Sequence, residues 1–160
     1  MPKMTGPKYL GADPGQSGGL AWVGDTCFGY AMPETERGLY CLLEELQGEY
    51  DFKLCYLEKV HSMPKQGVAS SFKFGQNYGS LRMALIATNI PFQEVTPQAW
   101  QKGLGLRHRI KGETQTIWKK YLMAVAQHLF PGVAVTLKTA DALLIAEWCR
   151  RSQLQPRSES

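Results

Sequence analysis

Short apolar runs dominate the first third of the chain, and longer helical patterns follow. Lys8-Tyr9-Leu10-Gly11-Ala12 predicts a first strand, closed by the turn signal Asp13-Pro14-Gly15. Gly19 to Val23 predicts a second strand, Gly24-Asp25 a hairpin turn, and Thr26 to Ala31 a third strand. Strands that follow one another through tight turns predict an antiparallel meander. A helix opens at Pro33 to Glu36, carries Leu39, Leu42, Leu43 and Leu46 at helical spacing, and is expected to stop at Gly48. Lys53 to Val60 then reads as a strand with Leu54, Tyr56 and Glu58 on one face and Cys55 and Leu57 on the other. Entered through a helical crossover, it should run parallel to the first strand.

The next helix, Ser71 to Asn89, carries two stripes. Phe74, Tyr78, Leu81 and Leu85 form one; Phe72, Gly75, Gly79 and Met83 form the other. Two apolar faces call for two partners, such as the sheet and another subunit. Glycine costs about 1 kcal/mol inside a helix, so Gly75 and Gly79 suggest close backbone approach, unless the helix is merely interrupted there. Pro91 to Val95 predicts a fifth strand, and Thr96-Pro97 an N-cap and first helical residue. Thr114 to Phe130 reads as a helix with Ile117, Tyr121, Val125 and Leu129 in register, and the last helix spans Thr139 to Arg151. The order β-β-β-α-β-α-β-α-α predicts an α/β fold with a mixed five-stranded sheet, three antiparallel strands then parallel ones, flanked by helices. One domain over residues 1–151 and a polar, frayed tail over 152–160 are expected.

Composition narrows this picture a little. A chain of 160 residues, 44% hydrophobic and 20% charged, has the makeup of a globular domain that buries roughly 70% of its unfolded surface. No apolar run approaches the ~20 residues of a membrane span, and Met1-Pro2-Lys3-Met4-Thr5 lacks a signal-peptide core. A soluble, cytoplasmic protein without a membrane partner is expected. Cys27, Cys41, Cys55 and Cys149 are scattered without CxxC or Cys/His spacing, which favours reduced thiols in the core over zinc ligands or disulfides. The net charge of +4 is modest, but Lys102, Arg107, Arg109, Lys111, Lys119 and Lys120 face only Glu113 within their stretch. A local basic patch on a near-neutral body suits phosphate binding; a solvated basic face is the plainer alternative.

Three acids interrupt apolar elements. Asp13 ends the first strand, Glu58 lies toward the end of the fourth, and Asp141 opens the last helix within Thr139-Ala140-Asp141-Ala142-Leu143-Leu144-Ile145-Ala146. Each has a simpler explanation alone: a turn residue before Pro-Gly, an exposed edge residue, and a first-turn acid favoured by the helix dipole. Together they matter more, because a carboxylate in an apolar element is costly unless paired or bound to a cation. Oxygen ligands without His or Cys favour Mg²⁺, with Mn²⁺ as a substitute.

These residues resemble the RuvC family of Holliday junction resolvases. The matching segments are Gly11-Ala12-Asp13-Pro14-Gly15, Glu58-Lys59-Val60-His61, Phe74-Gly75-Gln76-Asn77-Tyr78-Gly79, Val95-Thr96-Pro97-Gln98-Ala99-Trp100-Gln101-Lys102, and Ala140 to Trp148, in order from Tyr9 to Arg151. The loop His61 to Gly67 resembles phage-type members, which implies a bacterial or phage-infected cytoplasm. The resemblance implies an RNase H-like fold, in keeping with the element order, and a homodimer that binds a four-way DNA junction. It implies paired nicks with 5′-phosphate and 3′-hydroxyl ends, made by two-metal hydrolysis. Asp13 and Asp141 would hold the ion that activates water; Asp13 would bridge to a second ion, held by Glu58, at the leaving 3′ oxygen. His61, Met63 and Lys65 occupy the loop where the family inserts a side chain at the junction centre, and the basic stretch would hold phosphates. His108 and His128 read as structural or surface residues.

One position departs from the family pattern. A fourth acid or a His usually precedes the acid matched by Asp141 by three residues, and here that position is Lys138. Glu147 lies two turns on, on a different face. Another residue completing the site, a weakly held ion, Lys138 as a partial cation surrogate, and an inactive junction-binding relative are the alternatives. A nuclease for other branched DNA or RNA–DNA hybrids shares the same carboxylate chemistry. An actin-like or sugar-kinase-like ATPase also places an acid and glycines after its first strand, but it needs two such domains around the nucleotide.

Overall fold

The computed structural model describes residues 2–60 and 67–155. Strands β1 (Pro7–Asp13), β2 (Gly19–Val23) and β3 (Cys27–Ala31) form the meander, and helix α1 (Glu36–Glu49) crosses to β4 (Asp51–Glu58). Helix α2 (Val68–Ala87) leads to β5 (Phe92–Val95), followed by α3 (Pro97–Gly103), α4 (Gln115–Leu129) and α5 (Ala140–Leu154). The sheet order is β3-β2-β1-β4-β5. β1 pairs antiparallel with β2 and parallel with β4, while β5 lies parallel on the far side of β4. This is the expected mixed sheet of the RNase H-like fold, with β1 at its centre.

Alternation along the central strands assigns the two layers. Leu10, Ala12, Cys55 and Leu57 face α1 and α2, where Leu39, Leu43, Leu46, Leu81 and Leu85 close the core. Tyr9 and Tyr56 face the opposite layer of α3, α4 and α5, packed with Trp100, Trp118, Leu122, Leu144 and Ile145. Residues Ala140 to Glu147 of α5 are buried without a break, so this helix lies inside, against the sheet. Gly11 permits that seat. A Cβ there would stand 2.2 Å from the Ala142 carbonyl oxygen and 2.5 Å from the Ala146 nitrogen, so any side chain would push α5 off β1.

Several local expectations change. Three helices follow β5 rather than the two of the predicted order: the start read at Thr96-Pro97 opens a separate short helix, α3, before α4. Gly48 lies inside the last turn of α1, which is capped at Tyr50. β4 ends at Glu58, two residues before Val60, and α5 continues past Arg151 to Leu154. A Cβ on Gly75 or Gly79 would meet no atom of the described residues within 4 Å beyond its own helix backbone; close approach within this chain falls at other glycines, Gly11 and Gly103 among them. Cys55 and Cys149 are buried, but Cys27 is half-buried and Cys41 exposed, on the outer side of α1 away from Leu39, Leu43 and Leu46. Among the described residues no helix is long and apolar enough to cross a membrane.

Candidate carboxylate site

The sheet brings two of the predicted acids side by side. Ala12 pairs with Leu57 in the parallel β1–β4 ladder, so the next residues, Asp13 and Glu58, end neighbouring strands. Gly11 and Asp13 point to one face, and the close seat of α5 on Gly11 brings the start of that helix over the same strand ends. Asp141, in its first turn, thereby joins them. Asp13 and Asp141 are buried, and Glu58 is half-buried. None of the three is a solvated turn or edge residue.

Their electrostatics show an unbalanced cluster. Burial, then the charges of Asp141 and Glu58, hold the Asp13 carboxyl well above its ordinary range. Burial also raises Glu58, against an opposing hydrogen bond from Trp100. Among the described residues one cation stands with the three: Lys119, from α4, pairs with Asp141 Oδ2. Burial alone would lower its ammonium, but Asp141, Asp13 and Glu58 together outweigh that and raise it. The other Asp141 oxygen, Oδ1, is buried and has no hydrogen-bond partner among the described residues. A buried carboxylate oxygen left unpaired costs about 1–3 kcal/mol or more, and it is the kind of atom a bound ion would satisfy.

The donor set suits a hard divalent cation in its chemistry: carboxylate oxygens only, one of them without a partner among the described residues. Among the described residues no group of three or more His, Cys, Asp or Glu side chains stands placed to hold a metal ion, and Lys119 pairs with Asp141. A cleft of about 430 Å³ opens beside Asp13, lined by Ser17, Gln115, Lys119, Lys120 and Lys138 among others. Of the three acids only Asp13 lines it, and the three lysines give it the charge that suits phosphate groups.

Two contacts of this site are not signalled by the sequence. Lys119 was expected on the phosphate-binding face, whereas its ammonium sits on the carboxylates. Trp100 Nε1 donates to Glu58 Oε2 at 2.7 Å; nothing in its position in the sequence signals that role. Lys138, exposed at the cleft rim, makes no ion pair with the described residues, and among those residues the cation in contact with the acids is Lys119. Position 138 supplies no fourth carboxylate, and Glu147 is engaged elsewhere by Arg150 and Arg151.

The remaining basic residues divide. Arg107 is held in place: it pairs with Glu113 at 3.0 Å and lies 4.2 Å from the Tyr121 ring centroid. Arg109 donates to the Glu113 carbonyl at 3.3 Å. These contacts shape the loop between α3 and α4. Lys102, Lys111 and Lys120 are exposed, and only Lys120 of the three lines the cleft. His108 and His128 are exposed. His61, Met63 and Lys65 lie outside the described residues.

No family model matches the chain, and no curated protein matches it by sequence. Solved structures do resemble it. RuvC of T. thermophilus in complex with a Holliday junction substrate superposes with a TM-score of 0.62 at 13% identity, covering 93% of this chain and 96% of that one. A second T. thermophilus RuvC structure gives 0.55 at 14% identity, with 93% and 97% covered. At such identities the likeness is one of fold, and it extends over nearly the whole of both chains. The chain has the RuvC-like variant of the RNase H-like fold.

Proposed function

We propose that this protein is a divalent-metal-dependent endonuclease that resolves four-way DNA junctions as a homodimer. The observation that carries the reading is the convergence of Asp13, Glu58 and Asp141 at the ends of β1 and β4 and the start of α5. They form a buried, under-neutralised oxygen cluster beside an open, lysine-lined cleft. The fold shared with a junction-bound RuvC supports a nuclease over the ATPase alternative, and it supports branched DNA as substrate.

Asp13, Glu58 and Asp141 would hold Mg²⁺, with Mn²⁺ as a substitute. Ions bound there would supply Lewis-acid activation of water and neutralise charge at the leaving oxygen. The rest is the work of the chain's own residues. Trp100 fixes one oxygen of Glu58. Lys119 neutralises part of the cluster before an ion arrives, and its long side chain can swing from Asp141 toward a phosphate oxygen in the cleft. Lys120 and Lys138 at the rim would bind flanking phosphates, and Lys102 and Lys111 would extend the contact, giving affinity that falls steeply with salt. Arg107 and Arg109 act chiefly by shaping the loop that presents this face. His61, Met63 and Lys65 are proposed at the junction centre.

The second stripe of α2 supports the dimer. Phe72 is 69% and Met83 59% exposed, with Gly75 and Gly79 open between them. An apolar strip with bare glycine backbone suits close packing by another copy of the same helix.

The test is cleavage of a mobile four-way junction beside matched duplex, fork and RNA–DNA hybrid, with Mg²⁺, Mn²⁺ or EDTA. Paired nicks confined to the junction and abolished by EDTA are expected. Tight binding without cutting in either metal would identify an inactive relative, and cutting of the hybrid alone would replace the substrate.

A further inference from the structure

We infer that Trp100 is a positioning residue that holds Glu58 for ion binding, its indole N–H occupying one carboxylate oxygen so that the other faces the site. The inference rests on the nuclease reading above and adds a residue to it.

The local sequence builds this contact in one turn. β5 ends at Val95, the register partner of Glu58, and the Lys59 N–H donates to the Val95 carbonyl at 2.7 Å. Thr96 caps the helix that follows, its Oγ1 accepting from the Ala99 N–H at 3.2 Å, and Pro97 supplies the first helical position. With ~3.6 residues per turn, the chain is carried back over the strand end at position 100. Trp100 is fully buried there and reaches Glu58 Oε2 at 2.7 Å.

The helix carrying it is itself wedged. A Cβ on Gly103 would stand 2.0 Å from Trp148 Nε1, so α3 lies directly on that ring. Trp148 in turn packs on Tyr56, with ring centroids 5.0 Å apart, two residues before Glu58 on β4. The donor and acceptor are thus mounted on elements locked to each other.

The chemistry of the donor explains why an indole suits the place. Trp Nε1–H only donates; it cannot ligate an ion, and it carries no charge that would repel one. Lys119 also donates to a carboxylate of the cluster, but its positive charge competes with a divalent cation. The two donors therefore differ in function: Lys119 must yield when an ion binds, whereas Trp100 can keep its hydrogen bond throughout. Partners of this kind beyond the ligands themselves typically change ion affinity by about 10–100-fold.

The experiment combines Mn²⁺ affinity by electron paramagnetic resonance with exchange of the Trp100 indole proton by NMR. In the wild-type protein without metal, the indole N–H should exchange slowly, and Glu58→Ala should remove that protection. Trp100→Phe, with its fold verified by amide chemical shifts, should bind Mn²⁺ about tenfold more weakly. Gly103→Ala should weaken it as well by displacing α3. Unchanged Mn²⁺ affinity in folded Trp100→Phe overturns the inference and leaves the nuclease reading standing. So does a rapidly exchanging wild-type indole proton, which needs no variant. Failure of the wild-type protein to bind Mn²⁺ overturns the nuclease reading and this inference with it.

Discussion

Helix α5 carries two buried acids two turns apart, and their surroundings are opposites. Glu147 accepts from both Arg150, with 3.0 Å to its Nε, and Arg151 at 2.9 Å. Those partners hold its carboxyl below the ordinary value despite burial. Among the described residues, Asp141 belongs to a cluster of three acids sharing a single lysine, with one of its oxygens unpartnered, and its neighbours Asp13 and Glu58 are held above their ordinary values. Burial of an acid therefore does not mark a site on its own. The mark is burial without compensation, which folding tolerates where a ligand can supply the missing charge.

The contrast is sharpest for Asp13→Asn. Cleavage should fall by at least about a thousandfold, the equivalent of several kcal/mol of ion-derived stabilisation. The metal-free protein should melt at the same temperature or higher, because a repulsive buried charge is gone. Glu147→Gln should do the reverse, lowering stability by about 1–2 kcal/mol through the loss of charge-assisted hydrogen bonds while leaving junction cleavage in place. Thermal melts alongside junction assays read both arms.

Lys119→Met comes next in size. Removing one member of a buried pair costs about 3–5 kcal/mol. The Lys119 side chain keeps 34% of its exposure, so a loss nearer about 1–3 kcal/mol is expected after allowing for solvent screening. Mg²⁺ should restore most of it, which metal-free and metal-loaded melts would show. Lys138→Ala, by comparison, should leave metal-free stability within about 0.5 kcal/mol, as for an exposed surface residue; a large loss would return the surrogate-cation role to it.

Acidity separates the two regions in sign. Asp13 and Glu58 have folded values above their unfolded ones, so the folded state binds protons first as pH falls. Between neutral pH and the ordinary carboxylate range they make the metal-free protein more stable on acidification, while ion binding, which needs the ionised form, weakens. Glu147 has the opposite shift, so its contribution is present above the ordinary glutamate value and lost as pH falls through the lowered folded value. Melts against pH for Asp13→Asn and Glu147→Gln, each compared with wild type, should show difference slopes of opposite sign.

How far the sequence carried this site depends on distance along the chain. Asp13, Glu58 and Asp141 were legible because each breaks an apolar element, and the strand order already brings Asp13 and Glu58 together. The mixed sheet was legible from turns and crossovers. Helical periodicity gives the face of Lys119 but not what lies opposite, so from sequence alone it joins the phosphate-binding stretch. Lys138 drew attention through its closeness in sequence to Asp141, yet its side chain lies in the open. Trp100 carries no signal of its contact with Glu58, since an indole buries well whether or not its N–H finds a partner. The glycines divide similarly: Gly75 and Gly79 stood out by spacing, while Gly11, where α5 meets β1, is understood only when both elements are placed.

The most direct test of the account is calorimetric titration of Mg²⁺ and Mn²⁺ into the metal-free protein at neutral pH, with Asp13→Asn and Glu147→Gln beside it. Saturable binding that Asp13→Asn abolishes and Glu147→Gln leaves intact is the predicted result. No binding by the wild-type protein, or equal loss in both variants, would contradict the claim that the uncompensated cluster is a divalent-ion site.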